Sequence, residues 1–166
     1  MFIPSKVEIL EKGWTCSLPD DIKIVISPKN KNFKYLDKSQ KIIVGKSDTR
    51  KVIFDDILYA SKNVKTVIIP DSIRYISKYA FKNCTRIEKV EFSENSQLKS
   101  IGKYAFSEST IVEFELPKEV EKIGLSAFSG CDNLTSFKIS KESKLLSIPD
   151  DFVIFCSNFE NIEIPE

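Results

Sequence analysis

One pattern of apolar residues recurs in register from Ile53 to Ile164, and it restricts the fold more than any other feature of the chain. Ile76, Phe81, Cys84, Ile87, Val90 and Phe92 set the spacing, at offsets 0, 5, 8, 11, 14 and 16. Ile123, Phe128, Cys131, Leu134, Phe137 and Ile139 repeat those offsets without a gap, as do Ile148, Val153, Cys156, Phe159, Ile162 and Ile164. A weaker upstream copy reads Ile53, Leu58, Ser61, Val64, Val67 and Ile69. A further copy, Ile101, Phe106, Ser109, Ile111, Phe114 and Leu116, is one residue shorter after Ser109. Self-similarity at a fixed period of this length predicts a solenoid, because a single repeat cannot bury its apolar face and stacked neighbours can.

Within each repeat lies a strand-like triplet: Val67-Ile68-Ile69, Val90-Glu91-Phe92, Phe114-Glu115-Leu116, Phe137-Lys138-Ile139 and Ile162-Glu163-Ile164. Side chains alternate along a strand, so the outer two residues of each triplet are expected inside and the middle one outside. The chain between successive triplets is too long for a hairpin, which predicts parallel strands, one per coil. A proline or serine follows each (Pro70, Ser93, Pro117, Ser140, Pro165), and proline suits the end of a strand. Further on, Tyr79-Ala80-Phe81, Tyr104-Ala105-Phe106 and Ser126-Ala127-Phe128 place a small residue before a large one, which predicts a short helical turn packed on the core.

Composition excludes more than it identifies. The chain has 166 residues, 42% hydrophobic and 30% charged, values of a soluble globular domain. Its net charge of +1 gives no overall pull toward nucleic acid or anionic lipid. The first 65 residues are nevertheless basic, with 13 Lys/Arg against 8 Asp/Glu, and the remainder is acidic. The absence of histidine removes the Ser-His-Asp triad, the Cys-His dyad and histidine-ligated zinc. There is no glycine-rich phosphate loop, acidic metal cluster or nucleophile elbow, so no cofactor and no enzymatic activity are expected. The start shows no secretory signal, and no stretch approaches the roughly 18 apolar residues that cross a bilayer. On these grounds the default location is the cytoplasm.

The phrases IPDSIRYISKYAFKNCTRIEKVEF, LPKEVEKIGLSAFSGCDNLTSFKI and FSENSQLKSIGKYAF resemble the leucine-rich repeats of the bacterial surface antigen A-like (BspA-like) class, over residues 51 to 166. The resemblance rests on the Ile-Gly, Ala-Phe and Gly/Asn-Cys pairs and the strand that follows. It implies a right-handed solenoid with a parallel sheet on its concave face and short helical turns or loops on the convex one. It also implies a non-catalytic role in adhesion and protein binding at a cell surface, with a host or extracellular-matrix protein as partner. The chain departs from the pattern at Ser109, where cysteine is expected, at Val153, where phenylalanine is expected, and in lacking a signal or anchor.

Residues 1–50 do not carry the repeat. Ile22 to Ile26 and Lys41 to Val44 read as strands of a capping region that shields one end of the core, ahead of a continuous solenoid domain over residues 51–166 with about five repeats. The sequence stops at Pro165-Glu166 directly after a strand. An open coil edge invites pairing with another copy, so homo-oligomerisation and a longer natural array both stand as expectations.

The outward strand positions are the candidate partner-binding residues: Thr66, Ile68, Lys89, Glu91, Glu113, Glu115, Ser136, Lys138, Asn161 and Glu163. Solenoids present such a face to partners. Its alternative is a merely solvated sheet face, with Lys89 opposite Glu113 as a cross-strand pair. Large aromatic anchors are missing from these positions. Cys84, Cys131 and Cys156 share one repeat position and read as small buried core residues, since parallel neighbouring thiols have poor disulfide geometry; Cys16 stands apart. The run Lys23, Lys29, Lys31, Lys34, Lys38, Lys41 and Lys46, with Phe33 and Tyr35 inside it, reads as solvated surface before it reads as a polyanion site. Asn83-Cys84-Thr85 and Asn133-Leu134-Thr135 are glycosylation sequons by pattern and matter only along a secretory route. Together these features predict a non-catalytic protein-interaction module. The alternative is a structural repeat protein that assembles through its open solenoid ends.

Overall fold

The computed structural model describes residues 1–11, 14–15, 18–19 and 22–164. The chain begins with a parallel pair, β1 (Phe2–Ile3) and β2 (Val25–Ile26). An antiparallel group follows, β3 (Phe33–Tyr35), β4 (Ile42–Gly45) and β5 (Asp56–Ala60). From there the coils repeat. Longer strands β6 (Thr66–Ile69), β8 (Lys89–Phe92), β10 (Glu113–Leu116), β12 (Ser136–Ile139) and β13 (Asn161–Glu163) form one side. Two-residue strands β7 (Tyr75–Ile76), β9 (Ser100–Ile101) and β11 (Lys122–Ile123) form a second. The short strands join β5, β4 and β3 in one sheet of order β11-β9-β7-β5-β4-β3. Pairing between coils is parallel throughout, as the triplet spacing predicts.

The coil spacing explains why identical residue types recur. Strands in a sheet sit about 4.8 Å apart, so equivalent side chains of successive coils must stack directly on one another. Phe81, Phe106 and Phe128 do so with centroids 4.8 and 5.1 Å apart and nearly parallel rings. Phe114 and Phe137 form a second column at 5.4 Å. Its rings meet the first column edge-on, Phe114 against Phe128 at 4.7 Å. All five rings are fully buried in a core that runs from Ile42 to Phe152. A smaller cluster under the first strands holds Ile3, Ile24, Ile26, Phe33, Ile43 and Tyr59.

Among the described residues there is no helix, which corrects the expectation of helical turns at the Ala-Phe pairs. In a helix each N–H would bond within its own segment. Here alternate N–H groups leave the coil: Tyr79, Phe81 and Asn83 donate to the carbonyls of Lys103, Ala105 and Ser107 at 3.2, 2.7 and 2.9 Å. The residues between them, Ala80, Lys82 and Cys84, close turns on the carbonyl three residues back. Positive φ at Tyr79, Tyr104 and Ser126, and again at Asn83, Glu108 and Gly130, breaks any helical run at the same point of each coil. Gly102 and Gly124 answer a different need. A Cβ on Gly124 would lie 2.4 Å from the Lys103 amide nitrogen, so this backbone approach excludes a side chain.

Near the N-terminus the expected strand from Ile22 is confined to Val25–Ile26, because its partner β1 is only two residues long. β3 lies between the two segments expected to be strands, where no strand was expected. Cys16, Pro165 and Glu166, which carried expectations above, lie outside the described residues.

Candidate protein-binding face

Alternation along β6, β8, β10, β12 and β13 carries the candidate residues to one side of the solenoid. Their register is direct: Thr66 with Lys89, Ile68 with Glu91, Glu113 with Ser136 and Asn161, Glu115 with Lys138 and Glu163. Thr66, Ile68, Lys89, Glu113, Glu115, Lys138, Asn161 and Glu163 are exposed and Glu91 is half-buried. Ser136 is the exception. It is only 8% exposed, because its short side chain lies between the longer Glu113 and Asn161 of the adjoining coils. Ser136 therefore offers a partner almost nothing.

The face is not one sheet. β6 pairs only with β8, β10 pairs with β12 and β12 in turn with β13, and no ladder joins β8 to β10. The expected Lys89–Glu113 pair is accordingly absent; Lys89 instead pairs with Glu91 on its own strand, which raises the Lys89 pKa through their hydrogen bond. The shortened repeat explains the break. In complete coils the residue after the core Ile, Leu or Phe reaches back to the previous strand. Glu88 N–H bonds Lys65 O at 2.8 Å, Thr135 N–H bonds Val112 O at 2.8 Å, and Glu160 N–H bonds Thr135 O at 2.9 Å. Val112 is the equivalent residue in the shortened coil and makes no such bond. The Thr110 hydroxyl donates to Ile87 O at 2.8 Å instead, ending the approach one residue early. At the far end, Ser93 N–H closes β6–β8 on Ile69 O at 3.0 Å, whereas Pro117 has no N–H to close β8–β10.

Between the two strands is a depression of about 960 Å³, at the upper end of the range of ligand pockets. Thr66, Ile68, Lys89, Glu91, Glu113, Glu115 and Lys138 line it; Asn161 and Glu163 do not. Sequence reasoning missed Glu88, Phe92, Ser93, Val112 and Lys118, which also line it. The signal for them was the missing residue after Ser109. Phe92 was expected inside, yet at the break it is only half-buried and meets Phe114 edge-on at 5.6 Å. The Ser93 hydroxyl is buried there without a hydrogen-bond partner among the described residues.

The lysines on this lining are engaged. Lys118 pairs with Glu142 at 2.9 Å, which raises its pKa, and Lys138 lies 3.7 Å from Glu163. Glu88, Glu94, Glu113 and Glu115 have no cation partner among the described residues, so the depression carries uncompensated negative charge. Beyond the strand ends, Glu119 accepts from both Lys144 and Lys99 at 2.8 Å, and these bonds hold its pKa at about 2.

The other sequence candidates fall elsewhere. Cys84 and Cys131 are buried free thiols and Cys156 is half-buried. Burial pushes Cys84 up to about 12. The neighbouring Cys156 thiol, then burial, raises Cys131, while the hydrogen bond from Cys131 lowers Cys156. Phe33 is core, and Tyr35 donates its hydroxyl to Ile24 O, so these rings do not interleave with the lysines on a surface. Lys34 and Lys46 sit over the Phe54 ring and Lys41 reaches Asn63 O. Asn133 is exposed and Asn83 half-buried in its turn. No helix among the described residues is long and apolar enough to cross a membrane.

The fold is shared with solved bacterial proteins. A leucine-rich repeat protein from Eubacterium ventriosum superposes with a TM-score of 0.69 at 18% identity, covering 84% of this chain and 35% of that one. A leucine rich cell surface protein from Faecalibacterium prausnitzii gives 0.69 at 19% identity over 98% of this chain and 47% of that one. The pneumococcal vaccine antigen PcpA gives 0.58 at 19% identity, covering 84% and 38%. The chain thus spans less than half the length of each of these proteins. No curated protein matches it in sequence. The BspA type leucine rich repeat region matches residues 51–166 in six copies. With its stacked parallel coils and its repeated core positions, the chain belongs to the BspA type leucine-rich repeat family.

Proposed function

We propose that this chain is a non-catalytic interaction module that binds a protein partner through the face built by β6, β8, β10, β12 and β13, in an adhesive role at a cell surface. Leucine-rich repeats generally serve as protein-interaction modules, and the observation that carries the reading here is the lined depression of about 960 Å³ on that face. The likeness to a cell surface protein and to a vaccine antigen supports the location. Residues 1–50 act as the cap of the core, with residues 51–166 as the repeat domain. The test reverses Glu91, Glu115 and Glu163 to lysine and compares partner recovery from host-cell and matrix extracts. Loss of recovery is expected; full recovery by a folded triple variant refutes the reading.

Assembly of copies end to end is a second reading, favoured by the exposed apolar side chains of the last described coil, Leu146, Phe155 and Ile164. Light scattering across a concentration series decides it, since a strict monomer removes it.

A further inference from the structure

We propose that the seam between β8 and β10 receives an extended peptide strand of the partner, one that alternates basic and apolar residues. This deepens the interaction-module reading and rests on it.

The backbone of the seam is the first argument. Lys89 N–H bonds Lys65 O and Ser93 N–H bonds Ile69 O, so by strand alternation Val90 and Phe92 turn their N–H and C=O groups away from β6. Val112 O accepts from Thr135, so Glu113 and Glu115 turn theirs away from β12. Four residues therefore point hydrogen-bonding groups into the seam from both sides, with no ladder between them. Such edges are templates for strand addition, in which main-chain bonds supply affinity and alternate side chains supply specificity. An inserted strand would make β6 to β13 one sheet. It would also bring backbone groups to the orphaned Ser93 hydroxyl.

Side chains name the occupant. One face of an inserted strand would rest on the half-buried Phe92, which lies edge-on to the buried Phe114, and this calls for apolar residues. The other face would stand level with Glu113 and Glu115 on β10, both exposed and without cation partners among the described residues. Opposite charges in directly paired positions attract and like charges repel, so these positions call for lysine or arginine. Exposed Ile68 and Val112 extend the apolar margin on either side.

The test uses a capped peptide of about six residues alternating valine and lysine, a typical strand length, with two controls. One control replaces lysine by glutamate; the other keeps the sequence but N-methylates alternate amides. Binding is read by amide hydrogen exchange on the full chain. The Val90, Phe92, Glu113 and Glu115 amides are expected to exchange freely alone and to become protected with the Val-Lys peptide, and with neither control. Glu113→Lys with Glu115→Lys is expected to weaken binding roughly tenfold or more. Inserting one residue between Ser109 and Thr110, together with Pro117→Ser, is expected to close the seam and abolish binding. Protection of these four amides in the free protein, or equal binding of the N-methylated peptide, would overturn the proposal. If the Val-Lys peptide protects nothing while the Glu91, Glu115 and Glu163 reversals still remove the protein partner, strand insertion fails and the face reading survives. If those reversals leave recovery unchanged, both are overturned.

Discussion

Phe128→Ala removes the ring on which both aromatic columns converge. Phe128 is fully buried and stacks on Phe106 at 5.1 Å. It also meets Phe114, Phe137 and Phe152 edge-on at 4.7, 5.3 and 6.5 Å. Truncation of a buried phenylalanine costs about 3–5 kcal/mol, the spread reflecting how far the site can collapse. Here collapse is opposed, because the surrounding rings are fixed by coil spacing, and each lost ring pair adds about 0.5–1.5 kcal/mol beyond its area. The expected loss is therefore near the top of that range, about 4–5 kcal/mol. For a domain of this length each kcal/mol lowers Tm by about 2–4 °C, so the midpoint should fall by about 8–20 °C. Urea titration followed by far-UV circular dichroism gives the free energy directly. Phe155→Ala, at a ring 78% exposed on the last described coil, is the control and should stay within about 0.5 kcal/mol of wild type. A Phe128→Ala protein that loses under about 1 kcal/mol would show that the stacked columns do not hold the coils together.

Gly124→Ala places a Cβ against the Lys103 backbone and should cost about 1–3 kcal/mol or more in the same titration, although alanine favours most conformations over glycine; a neutral or stabilising result would refute the close approach. In a Cys16→Ser background, an alkylating reagent at neutral pH should modify Cys156 first and leave Cys84 and Cys131 unmodified until unfolding, as mass spectrometry of digests would show. Glu119 is held at about 2 against its usual 4.5, so its pairing with Lys144 and Lys99 stabilises the fold above the usual value and is lost as pH falls toward 2. The stability difference between wild type and Glu119→Gln should therefore be full at pH about 6 and vanish near pH about 2, and a difference independent of pH would refute the assignment.

The parallel coils and their inward residues were legible because each depends on one repeated distance, and a fixed period states that distance in sequence. Val67, Phe114 and Phe137 could be placed inside, and Glu115 and Lys138 outside, from alternation alone. The Tyr-Ala-Phe segment was misread for a physical reason. Its tyrosine and phenylalanine N–H groups bond to carbonyls of the next coil, as Tyr79 does to Lys103 and Tyr104 to Leu125, and local composition cannot distinguish that from a helical turn. Ser136 was misplaced because its cover comes from Glu113 and Asn161, in coils on either side. The missing residue after Ser109 was visible. What it does to Val112 and Glu113 was not, because strand pairing depends on two coils at once.

The shortened coil also shows why a break in one sheet need not weaken the solenoid. On the side opposite the seam, Tyr75 and Ile76 stay in register with Ser100 and Ile101. At the turns, the ladder from Tyr79, Phe81 and Asn83 to the next coil is complete. Inside, Phe81 and Phe106 stack at 4.8 Å across the same two coils. Coil spacing is thus fixed by two backbone ladders and an aromatic column. The unpaired groups of Val90, Phe92, Glu113 and Glu115 border an open depression, where water can satisfy them, so leaving them unpaired costs far less than burying them would. A seam held apart by its surroundings is preorganised, and preorganisation lowers the entropic cost of binding. A continuous sheet would have to break its own hydrogen bonds before admitting a strand; this one has none to break between β8 and β10.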